Sequence, residues 1–238
     1  MDLLGGAVRD AIHLLAGLDP YVREVVLLSL RVSGAAVLLG VMFGLPAGIV
    51  LGLARFPGRR ILIALVHTGF ALPPVVVGLA VYLLFSRQGP AGDLALLFTP
   101  AAMILAQAIL AAPYVAGVSL AAIQAVPADV RLQARALGAS RLRSIATHVR
   151  EARLGVGAAV IAGFGAVLSE VGAVLLVGGN IRGETRVLTS AIVLETRRGN
   201  FALAIALAAI LLALAFTINI LLTRMQQGRP GWFDAMRS

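Results

Sequence analysis

Five long apolar runs dominate the sequence, and they constrain the fold more than any other feature. They lie near residues 25–53, 61–86, 96–124, 153–178 and 201–223. About 20 apolar residues let an α-helix cross the hydrocarbon core of a bilayer, and each run is long enough. Only 13% of the residues are charged, against about 25% in soluble domains. We therefore expect an all-α, multi-pass membrane protein with five transmembrane helices.

The basic residues between the runs set the expected orientation. All 20 are arginines, and they concentrate in the 54–60 loop, the 125–152 segment and the C-terminal tail 224–238. Because positive charge accumulates on the cytoplasmic side, these three segments are expected in the cytoplasm and the N-terminus outside. The arginine-rich loop 179–200 then falls outside as an exception, since long loops can be translocated whatever their charge. The net charge of +9 is thus attributed to membrane orientation, and no nucleic-acid partner is expected.

The first 20 residues are too interrupted by polar groups to form a span. Leu4, Val8, Ile12 and Leu15 nevertheless share one helical stripe, which favours an interfacial helix over 1–20. The rest of the chain is expected to form a single transmembrane domain over 21–223, followed by the tail.

Glycines and prolines inside the runs point to close packing and to breaks. Four glycines of the first span fall at a spacing of four: Gly40, Gly44, Gly48 and Gly52. They share one face, where a helix of this chain or of a second copy can approach closely. Prolines interrupt three positions of the runs: Pro46, Pro73–Pro74 and Pro113. The backbone groups that they free need protein or water partners, so these positions either line a cavity or are ordinary kinks.

The basic stretch LQARALGASRLRSI, residues 132–145, predicts two short helices. Pro127 suits the first turn of a helix, Gly138 suits the left-handed residue that ends one, and Ser140 is a suitable N-cap for the next. On physical grounds alone, the segment 126–150 is either a contact for a partner or a basic amphipathic element lying on anionic lipid.

QARALGASRLRSIATHV resembles the cytoplasmic "EAA" loop of ABC importer permeases, whose signature is E-A-A-x-x-x-G. Ala134 and Gly138 match the signature, whereas Leu132 stands at its glutamate and Gln133 at its first alanine. The resemblance implies a type I ABC importer permease fold and a coupling helix that docks on a separate ATPase. The residues expected at that contact are Leu132, Gln133, Ala134, Leu137, Gly138, Ala139 and Ser140.

Two further stretches, ALPPVVVGLAVYLLFSRQGPAG (71–92) and SEVGAVLLVGGNIRGETRVLTSAIVLETRRGNFALAIAL (169–207), resemble permeases of tungstate-type ABC importers, relatives of the molybdate and sulfate systems. This resemblance implies a bacterial or archaeal plasma-membrane protein. It also implies a homodimer, two cytoplasmic ATPases that use ATP and Mg, and an extracytoplasmic oxyanion-binding protein. The chain lacks lysine, which the G-x-x-x-x-G-K-[ST] phosphate loop requires. We therefore expect no nucleotide site and no cofactor in this chain.

The charges within the spans suggest two further features. A carboxylate in hydrocarbon is costly unless it is paired or hydrated, and Glu170 and Arg31 lie at similar depth. They either form an ion pair or reach the interface separately. An oxyanion needs donors and positive charge along its path, which VGGNIRGETR can supply. The expected gate residues are Pro73, Pro74, Ser169, Glu170, Gly178, Gly179, Asn180, Arg182 and Arg186.

Two other classes of protein were weighed. An ion-coupled secondary transporter or channel would need buried carboxylates or histidines along several spans, and Glu170 stands nearly alone. An intramembrane enzyme would need clustered nucleophiles, bases or metal ligands, and the sequence offers none, so neither catalytic residues nor a metal site is predicted. The choice among tungstate, molybdate and sulfate stays open, because these anions share charge and near-tetrahedral shape.

Overall fold

The computed structural model describes residue 17 and residues 19–227, and every regular element in that part of the chain is helical. The elements are α1 Pro20–Leu53, α2 Arg59–Phe70, α3 Pro74–Phe85, a 3₁₀ turn Gly92–Leu94, α4 Pro100–Ala125, α5 Asp129–Ala136, α6 Arg141–Glu151, α7 Arg153–Leu168, α8 Gly172–Gly178, α9 Leu188–Arg197 and α10 Phe201–Gln227. Most of the interfacial helix expected over 1–20, and the tail after residue 227, lie outside the described residues. The described residues confirm the all-α class.

Three helices, α1, α4 and α10, are long and apolar enough to cross a membrane. The number reaches five if the bent pairs α2–α3 and α6–α7 each count as one span. Three of the five expected runs therefore correspond to single continuous helices.

The glycine ridge of α1 lets α1 and α4 pack with their backbones close together. All four glycines of the ridge face α4: Gly40, Gly44, Gly48 and Gly52. A Cβ atom built on Gly44 or Gly48 would lie 2.5 Å from a carbonyl oxygen of α4, that of Ala112 or Ala116 respectively. No side chain fits at that distance, so the ridge serves a contact within the chain, of the small-residue kind common between membrane helices.

The Pro73–Pro74 pair interrupts the helix over 61–86, whereas Pro46 and Pro113 lie inside continuous helices. Proline pushes the preceding residue out of the α conformation, and Pro73 is accordingly extended, with φ −64° and ψ 124°. The axes of α2 and α3 differ by 101°. The run 61–86 therefore forms two short helices that meet at a sharp bend, and not one continuous helix.

The run 153–178 is also broken, at residues 169–171 between α7 and α8. Here the break contains no proline. The short helix α8 packs on α3, since a Cβ atom built on Gly78 would lie 2.7 Å from the Cα atom of Ala173. One built on Gly172 would lie 2.8 Å from Cγ2 of Val75. The starts of the two helices that follow the breaks therefore touch each other.

The loop expected outside over 179–200 contains a helix that belongs to the core. Leu188 and Ala191 of α9 are fully buried, in a cluster with Val22 and Val25 of α1 and Leu207 of α10. The helix α9 therefore packs into the core of this subunit. The Ser29 Oγ of α1 accepts the Leu188 N–H at 2.7 Å, which satisfies one free donor at the start of α9.

Candidate functional site

The segment 126–150 forms the predicted helix–glycine–helix. The helix α5 ends at Ala136, and Gly138 adopts the left-handed conformation with φ 85°. The Ser140 Oγ then caps α6 by accepting the Arg143 N–H at 3.4 Å. A Cβ atom built on Gly138 would meet nothing within 4 Å, so only its backbone conformation calls for glycine.

This segment presents large apolar side chains that no other part of the described residues covers. Leu137 is 89% exposed, Leu132 62% and Leu142 79%. Gln133, Gly138 and Ser140 are exposed as well, while Ala134 and Ala139 are half-buried. Leucines held in the open between arginines indicate a surface that another protein or a membrane covers.

His148 fastens the segment to the end of α4. Its side chain is buried, and its Nε2 lies 2.9 Å from the carbonyl oxygen of Ile123. The residue four positions after Ile123 is Pro127, which has no N–H to donate to that carbonyl. Because a carbonyl oxygen only accepts, Nε2 carries the proton. The Ser144 Oγ also donates to the carbonyl oxygen of Arg131 at 3.0 Å, so α4, α5 and α6 are tied together.

No sequence motif pointed to His148. The signal that could have found it is Ile123 followed four residues later by Pro127, because that spacing leaves a carbonyl without its helical donor. Such a carbonyl needs a side-chain donor nearby when it is buried.

The break at 169–171 is held by polar side chains, among which Glu170 is central. Glu170 is 7% exposed, and its Oε1 accepts the Ala173 N–H at 2.8 Å. Glu170 thus caps the start of α8. Its carbonyl oxygen accepts from the Thr189 Oγ1 at 3.0 Å, and Gln107 donates from Nε2 to the Val167 carbonyl at 3.2 Å. Backbone groups freed inside a membrane protein need such partners.

The predicted Arg31–Glu170 ion pair is not formed. Arg31 is exposed on α1, and the ion pair found among residues 19–224 joins Arg198 to Glu195 at 3.3 Å. The depth argument treated 153–178 as one straight helix, and the break turns Glu170 inward to cap α8 instead. Among the other expected gate residues, Ser169 is exposed and donates from Oγ to the Gly165 carbonyl at 2.9 Å.

Gln107 and Thr189 are polar core residues that sequence reasoning missed. With Ser29 they line a very small cavity between α1, α4 and α9. The Gln107 Oε1 is buried and has no hydrogen-bond partner among the described residues. A single glutamine or threonine in an apolar run forms no pattern, so only the position of the break reveals their task.

The loop between α8 and α9 is closed on itself around Asn180. Arg186 donates from Nε to the Asn180 Oδ1 at 3.2 Å and from Nη2 to its carbonyl oxygen at 3.1 Å. Gly179 and Asn180 have positive φ, 69° and 54°, and the Thr185 Oγ1 donates to the Gly178 carbonyl. The loop is therefore a folded turn, and Arg186 holds it.

Arg182 plays a different part from Arg186. Its guanidinium carbon lies 5.0 Å from the centre of the Tyr21 ring, while that of Arg186 lies 5.9 Å from the same ring. Contacts of this kind at exposed sites are worth about 0.5–1 kcal/mol. Arg182 stays exposed, so its charge is available at the surface of the loop.

A profile of the family described as "binding-protein-dependent transport system inner membrane component" matches residues 44–229. The chain belongs to this family. It is a multi-pass permease of the plasma membrane, and permeases of ABC systems work with an ATPase and a substrate-binding protein.

Individual relatives agree with the family. A probable anion ABC transporter permease of Haloferax volcanii is 46% identical, over 89% of this chain and 93% of the relative. A tungstate uptake system permease of Peptoclostridium acidaminophilum is 35% identical, over 95% and 100%. A molybdenum transport system permease of Escherichia coli is 33% identical, over 71% and 77%. A crystal structure of an amino acid ABC transporter superposes with a TM-score of 0.63 at 19% identity, covering 90% of this chain and 96% of that one, which shows a shared fold.

Proposed function

We propose that this permease imports an oxyanion, tungstate above all, through an ATP-driven transporter in which it forms the membrane pathway. The similarity to a tungstate uptake permease over 95% of the chain carries the proposal. Molybdate is the second candidate, because the molybdenum permease is nearly as similar over a shorter stretch. The chain itself performs no catalysis.

The proposed assembly holds two copies of the permease, two cytoplasmic ATPases and one extracytoplasmic binding protein. Each copy crosses the membrane five times, with the N-terminus outside and the C-terminus in the cytoplasm. The transmembrane domain covers 21–223, and the ATPases use ATP and Mg. The arginine distribution between the helices supports this orientation.

The segment 126–150 is proposed as the coupling contact for the ATPase. Two properties support this: the open leucines, of which Leu137 is 89% exposed, and the tie from His148 to α4. A force on the exposed surface would pass to α4, which packs on α1 along the glycine ridge. A basic element lying on lipid would bury its leucines too, but it would not need attachment to the central helix.

For the pathway, we propose that the anion passes near the two breaks, where Pro73, Pro74 and Glu170 lie. Arg182 supplies positive charge at the outer entrance. Arg186 is a structural residue of the loop, since its guanidinium already binds Asn180.

Transport tests the function directly. Proteoliposomes that hold the permease, its ATPase and its binding protein should accumulate tungstate only when ATP is inside the compartment that the ATPase faces. Molybdate and sulfate, added as competitors, rank the anions. Accumulation driven by an ion gradient without the ATPase would contradict the proposal and favour a secondary transporter.

Co-purification tests the coupling contact. Leu137→Glu should abolish retention of the ATPase on the tagged permease, because it places a charge where an apolar surface is covered. Leu94→Glu is the matched control: Leu94 is also exposed, at 62%, but lies in the 3₁₀ turn far along the chain from the coupling segment. Equal retention by both variants would disprove the contact.

A further inference from the structure

An open apolar groove lies between α1, α2 and α4. Its volume is about 630 Å³. Phe43, Ala47 and Val50 line it from α1, Leu65 from α2 and Ile109 from α4, and all its lining residues are apolar or glycine. A hydrated oxyanion would lose its water contacts there without gaining a donor, so the groove is not part of the anion pathway.

A basic pocket lies at the end of this groove. Arg55, Arg59 and Arg60 line it, and Phe56 lines both the pocket and the groove. The Nε of Arg59 donates to the Leu51 carbonyl oxygen at 2.7 Å, which fixes its guanidinium in the wall of the basic pocket. None of the three arginines has a carboxylate within 4.0 Å among the described residues. The sequence has no acidic residue between Glu24 and Asp93, so their charge is left without a local partner.

The length of the groove corresponds to one leaflet. Its α2 wall is a helix of 12 residues, roughly 18 Å long at 1.5 Å per residue. Half of the hydrocarbon core of a bilayer is about 15 Å thick. The arginines lie at one end of this wall, and Gly69 and Leu72 line the groove at the other.

We propose that the groove and the basic pocket together bind one anionic phospholipid. The phosphate of the headgroup lies against Arg55 and Arg60, where guanidinium groups can donate in pairs. The acyl chains fill the groove between α1, α2 and α4. Basic pockets between membrane helices are known to hold anionic headgroups, and the chain supplies both halves of such a site in one continuous surface.

Native mass spectrometry of the purified permease tests the site, with phosphatidylglycerol, phosphatidylcholine and inorganic phosphate as separate probes. Phosphatidylglycerol should be retained more strongly than phosphatidylcholine. The double variant Arg55→Gln/Arg60→Gln should weaken its binding about 25-fold, since each arginine near an anionic surface contributes a factor of about five. Both side chains are exposed and make no side-chain hydrogen bond to the residues that the structure describes, so we expect the variant to keep its fold.

Two matched controls separate charge and shape. Arg87→Gln/Arg197→Gln removes the same charge from exposed positions elsewhere and should leave lipid retention unchanged. Ala47→Phe fills the groove and should reduce retention with all arginines in place, whereas Ala64→Phe, on an exposed part of α2 that does not line the groove, should not.

Several results would overturn the proposal. Equal retention of the two lipids, or equal losses in both arginine variants, would show that the charge is not recognised locally. Retention of inorganic phosphate that is insensitive to Ala47→Phe would indicate a free-phosphate site. Loss of the dimer in Ala47→Phe with normal lipid retention would show that a second copy fills the groove.

Discussion

Replacing Gly48 by alanine tests whether backbone contact between α1 and α4 holds the bundle together. The added Cβ atom would lie 2.5 Å from the Ala116 carbonyl oxygen, 2.8 Å from the Ser119 Cβ atom and 3.1 Å from the Leu120 backbone nitrogen. Two of these three neighbours are backbone atoms, which cannot rotate away. The helices must therefore separate, and overpacking of this kind costs about 1–3 kcal/mol.

Gly34→Ala provides the matched control on the same helix. A Cβ atom built on Gly34 meets nothing within 4 Å. Both variants gain the same helix propensity, about 1 kcal/mol for glycine to alanine, so the difference between them isolates the packing term.

The measurement is thermal unfolding of both purified variants in the same detergent, followed by the loss of helical circular dichroism. For a chain of this size, 1 kcal/mol shifts the midpoint by about 2–4 °C, so Gly48→Ala should melt roughly 2–12 °C below Gly34→Ala. Identical midpoints, or a Gly48→Ala variant that melts higher, would refute the idea that the ridge sets the spacing of the two helices.

Three further predictions concern the His148 hydrogen bond, the break at 169–171 and the loop between α8 and α9. His148→Leu should lower the midpoint of thermal unfolding by about 4–8 °C, because an unpaired buried carbonyl at Ile123 costs about 2 kcal/mol. His148→Gln keeps a donor and should recover most of this loss, so an equal loss in both variants would contradict the role of the His148–Ile123 hydrogen bond. Glu170→Gln should retain the cap of α8 and normal uptake, since an amide oxygen still accepts, while Glu170→Leu should abolish uptake; a defect in both would mean that the charge itself matters. Arg182→Gln should slow uptake of tungstate at low concentration without changing the melting midpoint, and Arg186→Gln should lower the midpoint, so the reverse pattern would exchange their roles.

The helices were predictable from apolar length, but their breaks were predictable only in part. The Pro73–Pro74 pair predicts the first break, because proline has no backbone N–H for a helical hydrogen bond and pushes the preceding residue out of the α conformation. The second break, at 169–171, contains only ordinary residues. Glu170 caps α8 locally, but the break also depends on Gln107 and Thr189, which lie far along the chain. Such tertiary partners leave no local trace in the sequence.

The candidate site was also predictable only in part. The turn at Gly138 and the cap at Ser140 follow from local backbone preferences, and both are confirmed. The hydrogen bond from His148 to the Ile123 carbonyl depends on how α6 packs against the end of α4, which no local sequence pattern encodes. The proposed pairing of Arg31 with Glu170 failed for a related reason, because equal depth along two helices does not fix which way each side chain turns.

The contact between α3 and α8 has a consequence for motion. The two helices that follow the breaks meet at Val75 and Gly172, so neither bend can open alone without parting that contact. We therefore expect the bends at 71–73 and 169–171 to move together, relative to the closely packed α1 and α4. A displacement at one bend would reach the other through the contact between Val75 and Gly172.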